Sequence, residues 1–270
     1  MKNRIIMSFF FIVFIGLQFQ AIAQFTPEEL AEREKWEEFL KTAEIAASDQ
    51  PWLPREDPTL PWRLTLEKDG VSRQAIWKYA EGRIGGFREN WRWEIAAYCL
   101  DKYLKLNMIP PTVERRYQGN RGSCQLLVNY WIRLLDKNQK DIKTPSNKIL
   151  SWDRALYLQR AFDNLIANID RYSGYILITK DWRMILIDHS RSFGTSNGYT
   201  KKLIYDKNHR NGPMLMKQLP KTFVEKLKSL NHEVIKEVVG EYLTDKEIEA
   251  VLIRRDLILK EIDNIKTVLY

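Results

Sequence analysis

Apolar and polar residues alternate with a period of two in much of the first half of the chain, whereas a helical period dominates the second half. Residues 62–66 and 73–79 alternate as strands do, and the Asp-Gly pair between them is typical of a hairpin turn. Residues 112–116 and 124–130 read as further strands on either side of a glycine-containing turn. We therefore expect a small, mostly antiparallel sheet in the first half.

Along the chain, helices are expected before, between and after these strands. Residues 89–106 place apolar side chains on one face, as a helix packed on a sheet does. An N-terminal helix is expected from Thr26 to about Ala47, because a threonine followed by a proline and two acids is a typical helix start. Residues 153–167 and most of residues 214–270 also have helical periodicity.

A second hairpin is predicted within the helical half, where two β-rich segments, residues 175–179 and 183–187, flank a polar turn. Asp170 precedes the first strand and Asp188 follows the second, so the hairpin should bring the two carboxylates near each other. Such a pair suits a base-plus-metal arrangement for phosphoryl transfer. Two solvated loop aspartates are the alternative interpretation.

A lysine and a glutamate in the first half form a second candidate pair. Lys78 lies on a predicted strand, and Glu94 lies sixteen residues later on the predicted helix. In kinase folds, an ion pair of this kind directs the lysine at the nucleotide phosphates. An ordinary surface salt bridge, which would contribute little to stability, is the alternative.

The order of elements predicts an α+β fold with a two-lobe, kinase-like architecture: a small antiparallel-sheet lobe with one helix, then a mainly helical lobe. The N-terminal helix and a proline-rich connector occupy residues 24–61, the first lobe residues 62–131 and the second lobe residues 132–270. A phosphate-covering loop would lie near residues 50–61, a segment that contains no glycine.

The first 23 residues have the pattern of a signal peptide. Lys2 and Arg4 form a basic start, residues 5–19 are almost wholly apolar, and Ala21 and Ala23 supply the small residues of a cleavage site. The apolar run is shorter than the roughly 20 residues that span a bilayer. We therefore expect an exported protein, periplasmic or secreted if bacterial, with no stable membrane span after cleavage.

Composition and charge narrow the classes of molecule that the protein could bind. The chain has 270 residues, of which 44% are hydrophobic and 29% are charged, with a formal net charge of +8. The positive charges are not gathered in blocks, which argues against a nucleic-acid partner. Cys99 and Cys124 are the only cysteines. They are expected either to form a disulfide or to be two buried free thiols.

Three short motifs resemble those of a known family. They are the helix sequence EIAAYCLD at residues 94–101, followed by a Pro-Pro exit, the sequence NIDR at residues 168–171, and LIDHSRSFG at residues 186–194. Their order and spacing resemble those of the motifs in the atypical kinase-like group. This group includes the secretory-pathway (Golgi casein) kinases, HipA-type kinases and phosphatidylinositol 3- and 4-kinases. The likeness is nearest to the secretory-pathway branch and its exported bacterial relatives.

The resemblance implies a role for each of the four candidate residues. Asp170 would be the catalytic-loop aspartate, which orients or deprotonates the acceptor hydroxyl. Asp188 would hold the divalent metal, and Lys78 would contact phosphate. Glu94 would pair with Lys78 or help to hold the metal.

The resemblance also implies a cofactor and a class of acceptor. Asn129, Tyr130 and Trp131 would fall near the interlobe hinge, where adenine normally packs. The cofactors would be ATP or another nucleotide with Mg²⁺ or Mn²⁺. The acceptor would be a hydroxyl group on a protein, a sugar or a lipid.

One departure from the family pattern leaves a second function open. Many relatives place a metal-binding asparagine five residues after the catalytic aspartate, and here Tyr175 occupies that position. A phenol cannot replace an amide oxygen as a neutral metal ligand of the same reach. A catalytically impaired pseudokinase acting as a secreted binding module is therefore the alternative.

A third, unrelated function is a metal-dependent hydrolase that would use Asp170, Asp188 and His189. The three histidines of the chain show no paired spacing such as H-x-x-x-H, which disfavours this function. His189 is therefore expected to be a structural neighbour of Asp188.

Overall fold

A computed structural model describes residues 25–49, 59–209 and 211–270 of the chain. The predicted signal peptide and most of the proline-rich connector lie outside these residues. In the part that is described, no helix is both long enough and apolar enough to cross a bilayer.

The strands and helices follow the predicted order of a sheet-rich half and a helical half. The strands are β1 (Glu44–Asp49), β2 (Trp62–Lys68), β3 (Val71–Lys78), β4 (Glu81–Ile84), β5 (Phe87–Asn90), β6 (Thr112–Tyr117), β7 (Asn120–Leu126), β8 (Ile132–Arg133), β9 (Ile176–Ile178), β10 (Met184–Leu186), β11 (Gln218–Leu219) and β12 (Val268–Leu269). The helices are α1 (Pro27–Ala31), α2 (Arg33–Thr42), α3 (Trp91–Leu104), α4 (Leu134–Gln139), α5 (Ile149–Ile166), α6 (Asn197–Thr200), α7 (Lys221–Ser229), α8 (His232–Val239) and α9 (Asp245–Asn264).

The first lobe is built on an antiparallel sheet of five strands in the order β1-β2-β3-β7-β6. The predicted hairpin of β2 and β3 is confirmed, with Lys68 opposite Val71 across the Asp-Gly turn. Apolar residues of α2 pack on one face of this sheet, against a cluster that includes Leu64, Leu66 and Trp77. The fold class predicted from the sequence, α+β with two lobes, is confirmed.

The predicted N-terminal helix is wrong in its extent. Thr26 caps α1 in a capping box with Glu29, but the helix is interrupted at Glu32 and α2 ends at Thr42. The following residues form β1, the edge strand that pairs with β2. A weak local preference for helix is overridden there by the backbone hydrogen bonds that the edge of the sheet offers.

Two other predicted boundaries in the first lobe are shifted. The strand expected at residues 124–130 runs from Asn120 to Leu126, so the turn before it is shorter than predicted. The helix expected from Glu89 begins at Trp91, because Asn90 is its N-cap and accepts the backbone N–H of Arg92 at 2.9 Å. Glu89 belongs instead to β5, which forms a hairpin with β4 that was not predicted from the sequence.

The second lobe is mainly helical and encloses the largest apolar core, to which α3 also contributes. The predicted hairpin is confirmed as β9 and β10, which form a three-stranded sheet with β8. The C-terminal region contains the predicted helices, and also a short parallel pair of β11 and β12 that the sequence did not indicate. Cys99 and Cys124 are free thiols, and burial raises the pKa of Cys124 to about 12.

The segment from Phe25 through α2, here called the N-terminal arm, contacts both lobes. The N–H of Phe25 donates to the carbonyl of Asn107 at 3.0 Å, and its ring packs with Leu177 and Ile185 of the β9–β10 hairpin. The carboxylate of Glu29 pairs with Arg183 at the far end of the same hairpin. The arm therefore ties the first lobe to the second along the side of the molecule.

A buried aspartate fixes the exit of α3. Asp101 is fully buried, and one of its carboxylate oxygens accepts the backbone N–H groups of Met108 at 2.8 Å and Ile109 at 3.3 Å. Burial raises the pKa of Asp101 to about 7, although these N–H groups favour the ionised form. The folded protein therefore binds a proton here more tightly than the unfolded chain, in which the pKa is about 4.

We predict that Asp101 makes the protein less stable as pH rises from about 4 through 7, because the buried carboxyl must ionise in the folded state. Asp101→Asn, which keeps the acceptor oxygen, should reduce this loss by about 1–3 kcal/mol. Urea unfolding of both proteins at pH 5 and pH 8 measures the difference. Asp256→Asn on the exposed face of α9 is the control, and an equal pH dependence in all three proteins would contradict the prediction.

Gly122 is required for the close approach of β7 to the end of β3. A β-carbon at this buried position would overlap the carbonyl oxygen of Lys78 and lie 2.7 Å from the ring of Trp77. We predict that Gly122→Ala lowers the free energy of unfolding by about 1–3 kcal/mol through overpacking. Gly198→Ala, whose β-carbon would meet its nearest neighbour at 3.7 Å, is the control and should change it by less than about 0.5 kcal/mol. Denaturant unfolding measures both, and equal effects would argue against the overlap.

Candidate functional site

Lys78, Glu94 and Asp188 come together in the cleft between the lobes. The ammonium group of Lys78 lies 3.0 Å from Oε1 of Glu94 and 2.7 Å from Oδ1 of Asp188. The three side chains are 9%, 4% and 11% exposed, so this is a buried ionic cluster rather than a surface salt bridge. The alternative of a surface pair between Lys78 and Glu94 is therefore excluded.

Each member of this cluster is positioned by a different element. Lys78 is the last residue of β3 and stands opposite Ser123 of β7. Glu94 lies in the first turn of α3, the helix that packs against the sheet. Asp188 follows β10 by two residues. The cluster therefore forms only when the sheet, the helix and the second-lobe hairpin are all in place.

Both carboxylate oxygens of Glu94 already have partners. Oε1 faces Lys78, and Oε2 accepts the backbone N–H of His189 at 3.0 Å. Burial opposes ionisation of Glu94, but Lys78 and His189 outweigh it and hold the pKa of this carboxyl below its usual range. Of the two roles considered for Glu94, this geometry favours pairing with Lys78 over holding a metal.

Asp188 has an uncommon backbone conformation, with φ of 60°. Aspartate is among the few residues that enter this left-handed region at modest cost. Its Oδ1 accepts a hydrogen bond from the hydroxyl of Ser190 at 3.1 Å as well as the contact from Lys78. Turning the backbone here directs the carboxylate into the cleft.

His189 is fully buried beside Glu94, with its Nδ1 3.6 Å from Oε2 of that residue. Burial and the nearby guanidinium of Arg171 lower the pKa of His189, so the neutral ring is favoured. This placement agrees with its expected role as a structural neighbour of Asp188.

Asp170 lies on the loop after α5 and does not line the cavity of the ionic cluster. Its backbone N–H donates to Oδ1 of Asn168 at 3.2 Å, and its side chain is 36% exposed. Burial raises the pKa of Asp170, and the negative charge of Asp188 adds to the rise while Arg191 opposes it. The carboxylates of Asp170 and Asp188 therefore lie close enough to interact electrostatically, as expected from the predicted hairpin.

A buried ion pair within the second lobe holds this loop in place. Arg171 pairs with Asp163 of α5 through two contacts at 2.9 and 3.0 Å, and both side chains are almost fully buried. The same guanidinium donates to the carbonyl of Ile187 at 2.6 Å. The loop that carries Asp170 is thereby fixed to the strand end that precedes Asp188.

The apolar part of the cleft lies beside this ionic cluster. It is lined by Ile76 of β3, Leu177 of β9, Ile187 and the residues that follow β7. Apolar walls next to charged groups suit a nucleotide base with its phosphates, but this cavity of about 20 Å³ would have to open to admit them. Lys78, Glu94 and Asp188 line the same cavity.

The predicted hinge residues lie outside this cavity. The residues at the end of β7 and just after it that line this cavity are Leu126, Leu127 and Val128. Asn129 and Tyr130 line an adjoining cleft of about 700 Å³ next to the N-terminal arm, whose lining shares these three residues. Trp131 is exposed and its ring meets that of Trp182. None of these three residues lines the cavity beside the ionic cluster, and their role at an adenine-binding hinge stays a prediction.

Asp188 and Glu89 are the carboxylates that could hold a divalent cation. Glu89 on β5 is buried, and one of its oxygens has no hydrogen-bond partner within the described residues. Burial raises the pKa of Glu89, and Asp188 contributes to the rise. No cluster of three His, Cys, Asp or Glu side chains forms a metal site in the described ranges. A divalent ion would therefore also need oxygens from a bound molecule, as Mg²⁺ commonly does with phosphates.

Tyr175 occupies the position of the expected asparagine, at the end of a short turn before β9. Its carbonyl accepts the N–H of Ile187 at 3.1 Å, and its ring packs against Tyr172. A side chain that could supply a neutral amide oxygen is therefore missing at this point of the chain.

Two charged residues of the site were not predicted from the sequence. Glu89 appeared to be the first residue of a helix, and Arg191 was one residue of the motif at residues 186–194 with no role assigned to it. In the structure, Nε of Arg191 contacts the carboxylate of Glu89 and its Nη1 lies 2.9 Å from Oδ2 of Asp170. No local pattern marks either residue, since their partners lie 102 and 21 residues away.

Comparison with known proteins gives structural neighbours only. No protein-family model matches the chain, and no curated protein matches it by sequence. A structure of hydra Fam20 with sugar superposes with a TM-score of 0.60 at 16% identity, covering 89% of this chain and 92% of that one.

Two structures of the Golgi casein kinase are also similar. One superposes with a TM-score of 0.57 at 13% identity and covers 90% of this chain and 76% of that chain. The other, with Mn/ADP bound, has a TM-score of 0.56 at 14% identity and covers 86% of this chain and 75% of that chain. At such identities the likeness is one of fold. The chain thus shares the fold of hydra Fam20 and of the Golgi casein kinase.

Proposed function

We propose that this protein is an exported phosphotransferase, which uses ATP or another nucleotide and a divalent metal to transfer a phosphoryl group to a hydroxyl acceptor. The acceptor would belong to a protein, a sugar or a lipid. The observation that carries the proposal is the buried contact of Lys78 with both Glu94 and Asp188 at the inner end of an apolar cleft.

Burying this ionic contact has a cost in folding free energy, which suggests that the contact is kept for function. Removing three charged groups from water carries a desolvation penalty that a well-packed apolar cluster would avoid. In phosphoryl transfer, catalysis depends on positioning and on electrostatic stabilisation of the transferred group. A lysine held between two carboxylates is a cation preorganised to receive phosphate oxygens.

The roles of the remaining residues follow from their placement. Asp188 and Glu89 would hold Mg²⁺ or Mn²⁺ together with phosphate oxygens, and the ion would neutralise charge on the nucleotide phosphates. Leu127, Val128 and Leu177 would contact the base in the apolar part of the cleft. The structure of a Golgi casein kinase with Mn/ADP bound supports this choice of ligands.

Asp170 would orient the acceptor hydroxyl and accept its proton. Its partly exposed side chain leaves access for an acceptor from solvent. A carboxylate with a raised pKa is a better proton acceptor than an ordinary surface aspartate. Because Asp170 and Asp188 lie near each other, the acceptor would meet the phosphate between them.

The basic and apolar start of the chain supports export. The cleavage pattern places the new N-terminus at Gln24, one residue before Phe25, which is buried between the lobes. Removal of residues 1–23 would therefore leave the N-terminal arm intact.

A catalytically impaired pseudokinase is the second candidate, and Tyr175 is the observation that favours it. The fold and the ionic cluster would then serve to bind a nucleotide or a partner without phosphoryl transfer. Phosphoryl transfer by the wild-type protein, or its gain in Tyr175→Asn, separates the two candidates.

We predict that ADP with Mn²⁺ or Mg²⁺ raises the melting temperature of the purified protein and that Asp188→Asn abolishes most of this shift. Asparagine tolerates the left-handed conformation at this position, so the variant should fold. Asp256→Asn, an exposed change on α9, is the matched control and should retain the full shift.

The outcomes of this thermal-shift experiment are distinct. A metal-dependent shift that is lost only in Asp188→Asn supports nucleotide binding in the cleft. The absence of any shift in wild type with either metal would refute the proposed function. A shift without transfer to added acceptors or to the protein itself favours the pseudokinase.

A further inference from the structure

Arg191 lies where the two lobes meet, beside Asp170. Its guanidinium contacts Glu89 of β5, lies 2.9 Å from Oδ2 of Asp170 and stacks 4.5 Å from the ring centroid of Phe87. The side chain is only 15% exposed. One cation therefore joins a hairpin of the first lobe to the loop of the second lobe that carries the candidate base.

The carboxylate of Asp170 depends on this contact. In the part of the chain that is described, Arg191 is the one side chain that donates a hydrogen bond to it. The backbone of the loop is held separately, because its N–H bonds to Asn168 and Arg171 pairs with Asp163. Without Arg191, the loop would keep these contacts within its own lobe but lose its tie to the first lobe, so its backbone would open more often and the carboxylate could rotate at a partly exposed position.

Arg191 is itself fixed from the side of the first lobe. Glu89 is 1% exposed, and the N–H of the next residue, Asn90, donates to the carbonyl of Ser190 at 3.0 Å. An exposed ion pair contributes little to stability. This pair has a buried anion, an aromatic platform at Phe87 and an adjacent backbone hydrogen bond, so it restricts the guanidinium more strongly than a surface pair does.

We propose that Arg191 is a positioning residue that fixes the carboxylate of Asp170 and couples it to the β4–β5 hairpin. This inference rests on the proposed function, because orientation of Asp170 affects turnover only if that group receives the acceptor proton. It assigns to the hairpin, which the sequence did not predict, the role of holding the candidate base from the opposite lobe.

Hydrogen exchange tests the coupling without any need for activity. Arg191→Gln should increase amide exchange by about fivefold or more both in residues 168–175 and in the hairpin of residues 81–90. Arg191→Lys keeps the charge but has one donor group for two carboxylates, so its effect should be intermediate. Arg83→Gln is the matched control, because Arg83 is an exposed arginine of β4 in the same hairpin.

A positioning role also predicts a specific kinetic change. Arg191→Gln should lower kcat on the order of 10²-fold, while the KM for nucleotide changes less than about twofold and Arg191→Lys recovers part of the rate.

Unchanged exchange in residues 168–175, or an equal change in Arg83→Gln, would overturn the coupling. Increased exchange with an unchanged kcat would overturn the positioning role. If wild type shows no nucleotide-induced thermal shift, the proposed function fails, and the exchange comparison still decides whether Arg191 holds the loop.

Discussion

The site depends on the two ionic contacts that the ammonium group of Lys78 makes. This group is buried and meets carboxylates from two other elements, α3 and the segment after β10. A buried charge is tolerated only when its partners are well placed, and removal of one partner from such a pair typically costs about 3–5 kcal/mol. The sheet, the helix and the second-lobe hairpin must therefore keep a fixed relation to one another.

Further contacts across the lobes support this relation. The N-terminal arm joins the lobes on the side of the hinge, where Phe25 packs against the β9–β10 hairpin. Arg191 joins them through Glu89 and Asp170. The lobes are thus joined by ionic contacts at Lys78 and at Arg191 and by apolar packing at Phe25.

Local signals in the sequence were sufficient for part of this structure. The hairpins of β2–β3 and β9–β10 and the capped start of α1 depend on neighbouring residues, and they were predicted. The pairing of Lys78 with Glu94 was predicted from the order of strand and helix. Strand β1 and the β11–β12 pair were missed, because their pairing depends on distant or context-dependent contacts that a single sequence does not display. The β4–β5 hairpin was also missed, although its Gly85-Gly86 turn is a local hairpin signal. Glu89 and Arg191 acquire their roles only through distant contacts.

A crystal structure with ADP and Mn²⁺ tests the central claim most directly. We expect a manganese anomalous peak at the carboxylate of Asp188, phosphate oxygens within about 3 Å of the ammonium group of Lys78, and the base between Ile76 and Leu177. A nucleotide bound at any other surface, or a cleft in which Lys78 keeps both carboxylates and no nucleotide enters, would contradict the account.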